Sequence, residues 1–264
     1  MAILAVDIGN SRIKLGLFDR SAERLHKGNG VPQPEKALAL PAADWNANVL
    51  QNWLADVPSE TPWWIASVNR PATAQLIHWL AGRFPTRLLS HADLPIGVAV
   101  EFPDRVGIDR LSGGVAANRL RNPARAAIVI GVGSAITVDL ISADGVFRGG
   151  AILPGIGMSA RALHEFTDLL PRSPLEELSS PPPALGTSTM AAIHAGLYWG
   201  AIGALRELIA RLAEQVDEAS PGDVFLTGGA APAVAAHLDP AARYIEYLVL
   251  SGIVLAKDPS CPTS

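Results

Sequence analysis

The hydrophobic pattern at the start of the chain predicts two strands joined by a tight turn. Ile3 to Val6 form a continuous apolar run, which is typical of a buried strand. Beyond a polar turn, apolar positions alternate with other residues, as in a strand that returns along the first: Ile13, Leu15 and Leu17. The chain therefore begins with a predicted hairpin, and Asp7 stands where its first strand ends.

The turn of this hairpin carries the first candidate chemistry. Gly9 permits a tight bend, and Asn10 and Ser11 add short polar side chains and backbone amides at the tip. Such a tip can hold a phosphate, and Asp7 beside it can hold a divalent metal. Taken alone, the stretch fits an ordinary hairpin equally well, because Asp and Asn also favour turns.

Apolar runs and helical periodicities alternate through the rest of the chain and predict an α/β layered fold. The pattern predicts helices over 45–54, 72–84, 109–120, 156–169 and 189–215. It predicts strands over 63–68, 87–89, 126–130 and 223–226. The segments 32–41 and 171–183 are predicted as loops, and 19–30 as a turn with a short exposed strand.

A second hairpin of the same kind begins near the middle of the chain. The apolar strand 126–130 leads into a glycine turn at Gly131 to Ser134, and the chain returns toward Asp139. Two such hairpins, each opening a half-chain of strands and helices, predict two related domains that face each other across a cleft. We expect these domains to span 1–118 and 119–264.

Two further segments have the residue types of a binding site. Asp109 and Arg110 follow Gly107 at the start of a predicted helix, where free amides favour an anion. Asp109 could accept a hydroxyl proton while Arg110 forks onto a carboxylate, although a capping aspartate and a solvated arginine explain the local sequence better. Gly228 and Gly229 follow a predicted strand, which is the placement of an adenosine-binding turn.

Composition and charge narrow the class of protein. Of 264 residues, 49% are hydrophobic and 17% are charged, which indicates a globular chain. The net charge is −4 without a basic cluster, so a nucleic-acid partner is not expected. Neither a signal sequence nor a membrane-spanning apolar run is recognised, and we expect a cytoplasmic protein. The single cysteine, Cys261, and the spacing of the histidines do not predict a metal site.

Taken in order, these motifs resemble those of type III pantothenate kinases, which belong to the actin-like and sugar-kinase-like phosphotransferases. The resemblance is carried by segments along nearly the whole chain: 7–11, 65–68, 106–110, 133–139, 149–155, 186–189 with Gly196 and Gly200, 227–229 and 248–255. It implies two related ribonuclease-H-like, actin-like domains, each a mixed sheet flanked by helices. It also implies phosphorylation of the primary hydroxyl of pantothenate by ATP with Mg²⁺, the first step of coenzyme A biosynthesis.

The resemblance also implies roles for individual residues. Asp109 would be the catalytic proton acceptor, and Asp7 would bind magnesium. ATP phosphates would lie against the first turn and the second: Asp7, Ile8, Gly9, Asn10, Ser11, Arg12, Ile13, Lys14, Gly133 and Ser134. Pantothenate would contact Gly107, Ile108, Asp109, Arg110 and Thr189, and the adenosine would lie near Gly228 and Gly229.

Two positions depart from the family pattern. The family usually has an aspartate just before the second phosphate turn that binds a monovalent cation, K⁺ or NH₄⁺, and this chain has Gly131 there. That cation site is therefore either lost or completed by another oxygen. The family also usually has a tyrosine seven residues before Gly107, where this chain has Val100. Phe102 or a neighbouring subunit would have to cover the gap.

The resemblance further implies a homodimer with the helix over 189–215 packed between subunits; packing within one chain is the alternative. Gly196, Gly200 and Gly203 would then permit close approach of another helix. Two other functions remain open at this point. One is a small-sugar kinase of the same fold, which usually needs insertions that this chain lacks. The other is a nucleotide-binding accessory or regulatory protein without turnover.

Overall fold

The computed structural model describes residues 2–19, 30–174, 180–216, 222–238 and 241–257. The chain divides into two compact units, one comprising Met1–Leu120 with Tyr247–Ser264 and the other Arg121–Glu246. The sequence-based boundary at 118/119 falls close to the first change of unit. The segment from Tyr247 onward groups with the first unit, whereas the sequence analysis included it in the second domain. Most of the turn over 19–30, part of the loop over 171–183, and Cys261 lie outside the described residues.

The first unit is built on a mixed five-stranded sheet. Its strands and helices are β1 (Ala2–Ile8), β2 (Arg12–Asp19), β3 (Lys36–Pro41), α1 (Ala47–Trp53), β4 (Trp63–Ser67), α2 (Arg70–Leu80), β5 (Thr86–Leu88), β6 (Gly97–Val98) and α3 (Ile108–Leu120). The sheet order is β3-β2-β1-β4-β5, and β6 is not one of its strands. The pairs β3–β2 and β2–β1 are antiparallel, and β1–β4 and β4–β5 are parallel.

The second unit repeats this arrangement. Its elements are β7 (Ala127–Val132), β8 (Ala135–Ile141), β9 (Val146–Pro154), α4 (Ile156–Glu165), α5 (Thr189–Ala213), β10 (Asp223–Thr227), α6 (Ala231–Ala235) and β11 (Arg243–Tyr244). Its own strands follow the order β9-β8-β7-β10-β11, antiparallel across the first two pairs and parallel across the last two. The same topology in both units is the mark of two related domains, as the paired hairpins predicted.

Each sheet carries its own hydrophobic core, because its strands present apolar side chains to the helices that cover it. In the first unit, residues of β1, β2 and β4 pack with Leu76 and Leu80 of α2. In the second unit, residues of β7, β8 and β10 pack with Tyr198, Ile202 and Leu205 of α5. The helix predicted over 189–215 therefore packs one face within its own unit.

The prediction of a loop over 32–41 is wrong over its second half, which forms β3. This segment is an edge strand that pairs with β2 alone, and its register places Ala39 opposite Lys14. Prolines at 32, 34 and 41 favoured the prediction of a loop, although proline is tolerated in an edge strand of a sheet. The helix predicted over 156–169 is also shorter than expected, since α4 ends at Glu165.

A final helix, α7 (Leu248–Val254), completes the first unit. Its Ser251 hydroxyl donates to the carbonyl oxygen of Pro32 at 2.7 Å. A methyl group at Gly252 would lie 1.8 Å from the carbonyl oxygen of Ser112 in α3, so the two helices approach with backbone nearly touching backbone. Within the described ranges, the chain has no helix whose length and hydropathy would let it cross a membrane.

Gly252→Ala should therefore destabilise the protein, because the new methyl group forces α7 away from α3. We expect a loss of about 2–3 kcal/mol in the free energy of unfolding, measured by urea denaturation. Gln51→Ala, at an exposed position of α1, is the control. That variant should be neutral or slightly stabilising, because the side chain is at the surface and alanine favours the helix. Equal losses in both variants would show that the α3–α7 approach is not the cause.

Candidate active site

The first turn lies where β1 passes into β2. The Gly9 amide donates to the Arg12 carbonyl oxygen at 3.0 Å and closes the turn, while Asn10, Ser11 and Arg12 are exposed at its tip. The side chains of Ile8 and Ile13 are fully buried in the core. Of the residues assigned to the first phosphate loop, these two can therefore offer only backbone groups to a ligand.

Asp7 is a buried acidic residue near the end of β1, with 8% of its surface exposed. In the register of the hairpin it lies directly opposite Lys14 of β2. Burial raises the pKa of Asp7 to about 7, the nearby Lys14 charge opposes that rise, and the charge of Asp109 adds to it. The fold of the first unit thus brings together three residues that the sequence analysis selected separately: Asp7, Lys14 and Asp109.

This arrangement suits a divalent cation. A buried carboxylate whose ionisation is opposed by burial and by a second carboxylate gains from a cation placed beside it. Carboxylate oxygens are the ligands that Mg²⁺ prefers, and Mg²⁺ commonly uses one or two of them together with substrate phosphates. Within the described part of the chain, no three or more His, Cys, Asp or Glu side chains group into a complete metal cage. The residues at Asp7 therefore fit a cation shared with a phosphorylated substrate.

Asn69 supports the first turn and was not selected from the sequence. Its side-chain amide donates to the Gly9 carbonyl oxygen at 3.3 Å, and its side-chain oxygen caps α2 by accepting from the Ala72 amide at 3.1 Å. Because a trans peptide points its C=O and N–H in opposite directions, this bond turns the Asn10 amide away from Asn69. An asparagine two residues before a proline at a helix start predicts the cap, but no local pattern predicts the bond to Gly9.

The segment at the start of α3 places Asp109 over Gly107. A methyl group at Gly107 would lie 2.5 Å from Asp109 Oδ1, so only glycine leaves room for the carboxylate in this position. The same oxygen accepts from the Arg110 amide at 2.9 Å. Asp109 and Arg110 are half-buried, whereas the Ile108 side chain is buried. Asp109 therefore lies within the first turn of α3 with its carboxylate folded back toward the helix start.

In the second unit, the turn at Gly133 and Ser134 is held against the start of α4. The Gly155 amide donates to the Ser134 carbonyl oxygen at 3.1 Å. A methyl group at Gly155 would lie 2.2 Å from the Gly133 carbonyl oxygen, so this contact requires glycine. The positive end of the α4 dipole consequently lies beside the second turn, where it favours an anion.

The turn at Gly228 and Gly229 packs against the end of β7 in the second unit. Gly228 has a φ of +105°, and a methyl group there would lie 2.3 Å from the Val132 carbonyl oxygen. The Ala230 amide donates to that same carbonyl at 3.2 Å. The structure therefore places Gly228 and Gly229 next to the end of β7, immediately before Gly133 and Ser134.

Thr189 is the first residue of α5 and is exposed. The preceding residue, Ser188, caps the helix by accepting from the Ala191 amide at 3.2 Å. Gly186 lies so close to this turn that a methyl group there would be 2.2 Å from the Ala192 nitrogen. The segment from Gly186 to Thr189 is thus a closely packed, capped helix start, and Thr189 lies exposed on it.

Gly131 lies on β7 opposite Thr137 of β8. A methyl group at Gly131 would lie 2.9 Å from the Thr137 hydroxyl oxygen. That hydroxyl therefore already occupies the space into which a side chain at 131 would extend. The Thr137 hydroxyl is thus a single neutral oxygen beside position 131, where the family usually has an aspartate.

Comparison with known proteins identifies the fold and then the family. The crystal structure of a conserved Baf family protein from Campylobacter jejuni matches 95% of each chain with a TM-score of 0.58 at 20% identity. Together with the repeated sheet topology, this likeness defines a two-domain actin-like fold.

The family model of type III pantothenate kinases matches residues 3–211. The type III pantothenate kinase of Rhodospirillum rubrum is 32% identical over 270 residues, which covers 96% of both chains. That of Anaeromyxobacter sp. strain K is 32% identical over 259 residues, covering 95% of this chain and 96% of the relative. The chain belongs to the type III pantothenate kinase family. It is an enzyme of coenzyme A biosynthesis that phosphorylates pantothenate with ATP, and the family uses a divalent metal.

Proposed function

We propose that this chain transfers the γ-phosphoryl group of ATP to the primary hydroxyl of pantothenate with Asp109 as proton acceptor and Asp7 as the residue that holds Mg²⁺. The observation that carries this assignment is the electrostatic cluster of Asp7, Lys14 and Asp109 in the first unit. It combines an anionic group for a metal, a cation for phosphate and a carboxylate for an alcohol. These are the groups that phosphoryl transfer from ATP to an alcohol requires.

The first turn binds and orients phosphate. The Asn10 amide, directed by the Asn69–Gly9 bond, and the amides at the exposed tip donate to phosphate oxygens. Lys14 adds a positive charge close to the same turn. Mg²⁺ held at Asp7 would neutralise charge on the phosphate groups. The chain's own part is to hold the Asp7 backbone on β1, which is paired with β2 on one side and β4 on the other.

Asp109 acts on the acceptor. A primary alcohol is far too weak an acid to ionise before attack, so Asp109 orients the hydroxyl and takes its proton late in the transfer. Arg110 is assigned to the carboxylate of pantothenate, because a guanidinium forks onto a carboxylate through two parallel hydrogen bonds. The exposed hydroxyl of Thr189 is assigned as a further pantothenate contact.

In the second unit, Ser134 and the Gly133 backbone are assigned to nucleotide phosphates, supported by the helix dipole of α4 beside them. Gly228 and Gly229 are assigned to the adenosine side. Their supporting feature is the close approach of this turn to β7, where the Val132 carbonyl oxygen leaves no room for a side chain at Gly228.

A homodimer is part of the proposal. Two apolar side chains after α4 are almost fully exposed in the single chain, Phe166 at 84% and Leu169 at 88%. On α5, methyl groups at Gly196, Gly200 and Gly203 would meet no described atom within 4 Å beyond the neighbouring residues and the helix's own backbone. The exposed apolar groups after α4 and the open stripe on α5 support a second copy of this chain as the partner that covers them.

A substrate panel tests the proposed reaction. The purified chain with ATP and Mg²⁺ should release ADP with pantothenate and not with glucose or N-acetylmannosamine. Turnover with a sugar alone would instead support the small-sugar kinase. ATP binding without turnover of any acceptor would support the accessory protein.

Potassium should have little effect on this turnover. Gly131 offers no carboxylate, and the Thr137 hydroxyl is a single neutral oxygen. We expect kcat/KM to change less than about twofold when K⁺ or NH₄⁺ replaces a bulky organic cation, because one neutral ligand binds a hard cation weakly. Thr137→Val is the matched variant, since it removes the hydroxyl and keeps the shape. Strong activation by K⁺ that Thr137→Val abolishes would show that this hydroxyl completes the site.

A further inference from the structure

The loop that leads into Asp109 is exposed until its last two residues. Residues 101–105 lie at the surface, and the Arg105 guanidinium stacks on Phe102 at 4.7 Å from the ring centre. Only Val106 and Gly107, immediately before α3, become half-buried. The position of the Asp109 carboxylate depends on this point, because that carboxylate lies against Gly107.

His91 contacts the loop at this point. Its Nε2 lies 2.8 Å from the carbonyl oxygen of Val106. A carbonyl oxygen can only accept, so Nε2 carries the proton and donates it. The bond fixes the Val106–Gly107 peptide, and with it the backbone that precedes Asp109.

His91 is itself held on a firmly anchored turn, the short 3-10 helix His91–Asp93. Asp93 accepts from the Ser90 amide and hydroxyl at 2.7 and 2.8 Å and pairs with Arg87 of β5. Arg87 also donates to the Lys257 carbonyl oxygen at 2.9 Å, and the Lys257 amide donates to the Asp93 carbonyl oxygen at 2.7 Å. The turn is therefore fixed both to the sheet and to the segment that follows α7.

We propose that His91 is a positioning residue for the pantothenate loop: through its hydrogen bond to Val106 it holds the Gly107–Arg110 backbone in the geometry that aims Asp109 at the acceptor hydroxyl. This inference rests on the roles proposed above for Gly107 to Arg110. It assigns no chemistry to His91 itself. The anchored turn supplies the rigidity, and His91 transmits it to the loop by one hydrogen bond.

His91→Phe removes the donor and keeps a planar ring, while His91→Gln places an amide nitrogen where Nε2 lies. We expect His91→Phe to lower kcat/KM for pantothenate about tenfold, with a raised KM for pantothenate and an unchanged KM for ATP. His91→Gln should recover most of this loss. A merely structural role would reduce the active fraction and the Tm without separating the two KM values. His78→Phe, at an exposed histidine of α2, is the matched control and should behave as wild type.

Backbone hydrogen exchange tests the positioning without relying on turnover. The amides of residues 107–111 should exchange faster in His91→Phe and return to wild-type rates in His91→Gln. Unchanged exchange together with unchanged kcat/KM in a folded His91→Phe would overturn the inference. If exchange responds as expected but pantothenate is not turned over by the wild type, the inference about the loop stands and the proposed function fails.

Discussion

Asp109→Asn should lower kcat with pantothenate by roughly 100- to 10,000-fold, the range for losing a general base. Asparagine keeps the size of the side chain and can still accept from the Arg110 amide, so the start of α3 should be preserved. It cannot take up the proton of the attacking alcohol. The loss should therefore appear in kcat, with the KM for ATP little changed, in steady-state assays of ADP release.

Asp104→Asn is the matched control for this variant. Asp104 is an exposed aspartate in the same loop, five positions earlier, and its replacement should leave kcat within about twofold of wild type, as is usual for surface substitutions. Wild-type turnover by a folded Asp109→Asn would remove the assigned proton acceptor. The pantothenate kinase family membership would stand, but the residue-level mechanism would have to be rebuilt.

The elements around Asp7 could be predicted because their information is local. An apolar run followed by alternation defines β1 and β2, and the short turn between them places Lys14 opposite Asp7. The start of α3 was also predicted, since glycine and aspartate mark a helix start. Local pattern fails where the signal is weak, as in β3, whose small residues and prolines resemble a loop.

The assembly of the site could not be predicted by physical reasoning from the sequence alone. The electrostatic contact between Asp7 and Asp109 joins residues about a hundred positions apart, and only the resemblance to a family brought them into one site beforehand. The bonds from Asn69 to Gly9 and from His91 to Val106 join loops through single side chains. Neither has a periodic or turn signature. The grouping of α7 with the first unit likewise depends on the backbone contact at Gly252.

Asp7→Asn should lower the activity of the enzyme while raising its stability at alkaline pH. Activity should fall roughly 100- to 1,000-fold, the range for removing one preorganised electrostatic group, because the amide offers no charge to Mg²⁺. Raising the Mg²⁺ concentration should recover little of it, since the ligand's charge is gone. Asp56→Asn, at an exposed aspartate of the same unit, should leave activity unchanged. Wild-type Mg²⁺ dependence in Asp7→Asn would show that the metal is held elsewhere.

The same variant should be more stable than the wild type at alkaline pH when no ligand is present. The pKa of Asp7 rises from 3.8 to about 7 on folding, chiefly through burial, so between these values the folded chain holds a proton that the unfolded chain has released. Wild-type stability therefore falls as pH rises through this window, by about 4 kcal/mol at most, and asparagine has no such cost. In thermal denaturation, Asp7→Asn and the wild type should agree near pH 4, and the variant's advantage should grow to a plateau above pH 8.

Mg²⁺ with ATP should narrow the difference by stabilising only the wild type. A variant less stable than the wild type at pH 8 would mean that Lys14 already compensates the Asp7 charge fully, and that the buried carboxylate does not depend on a cation.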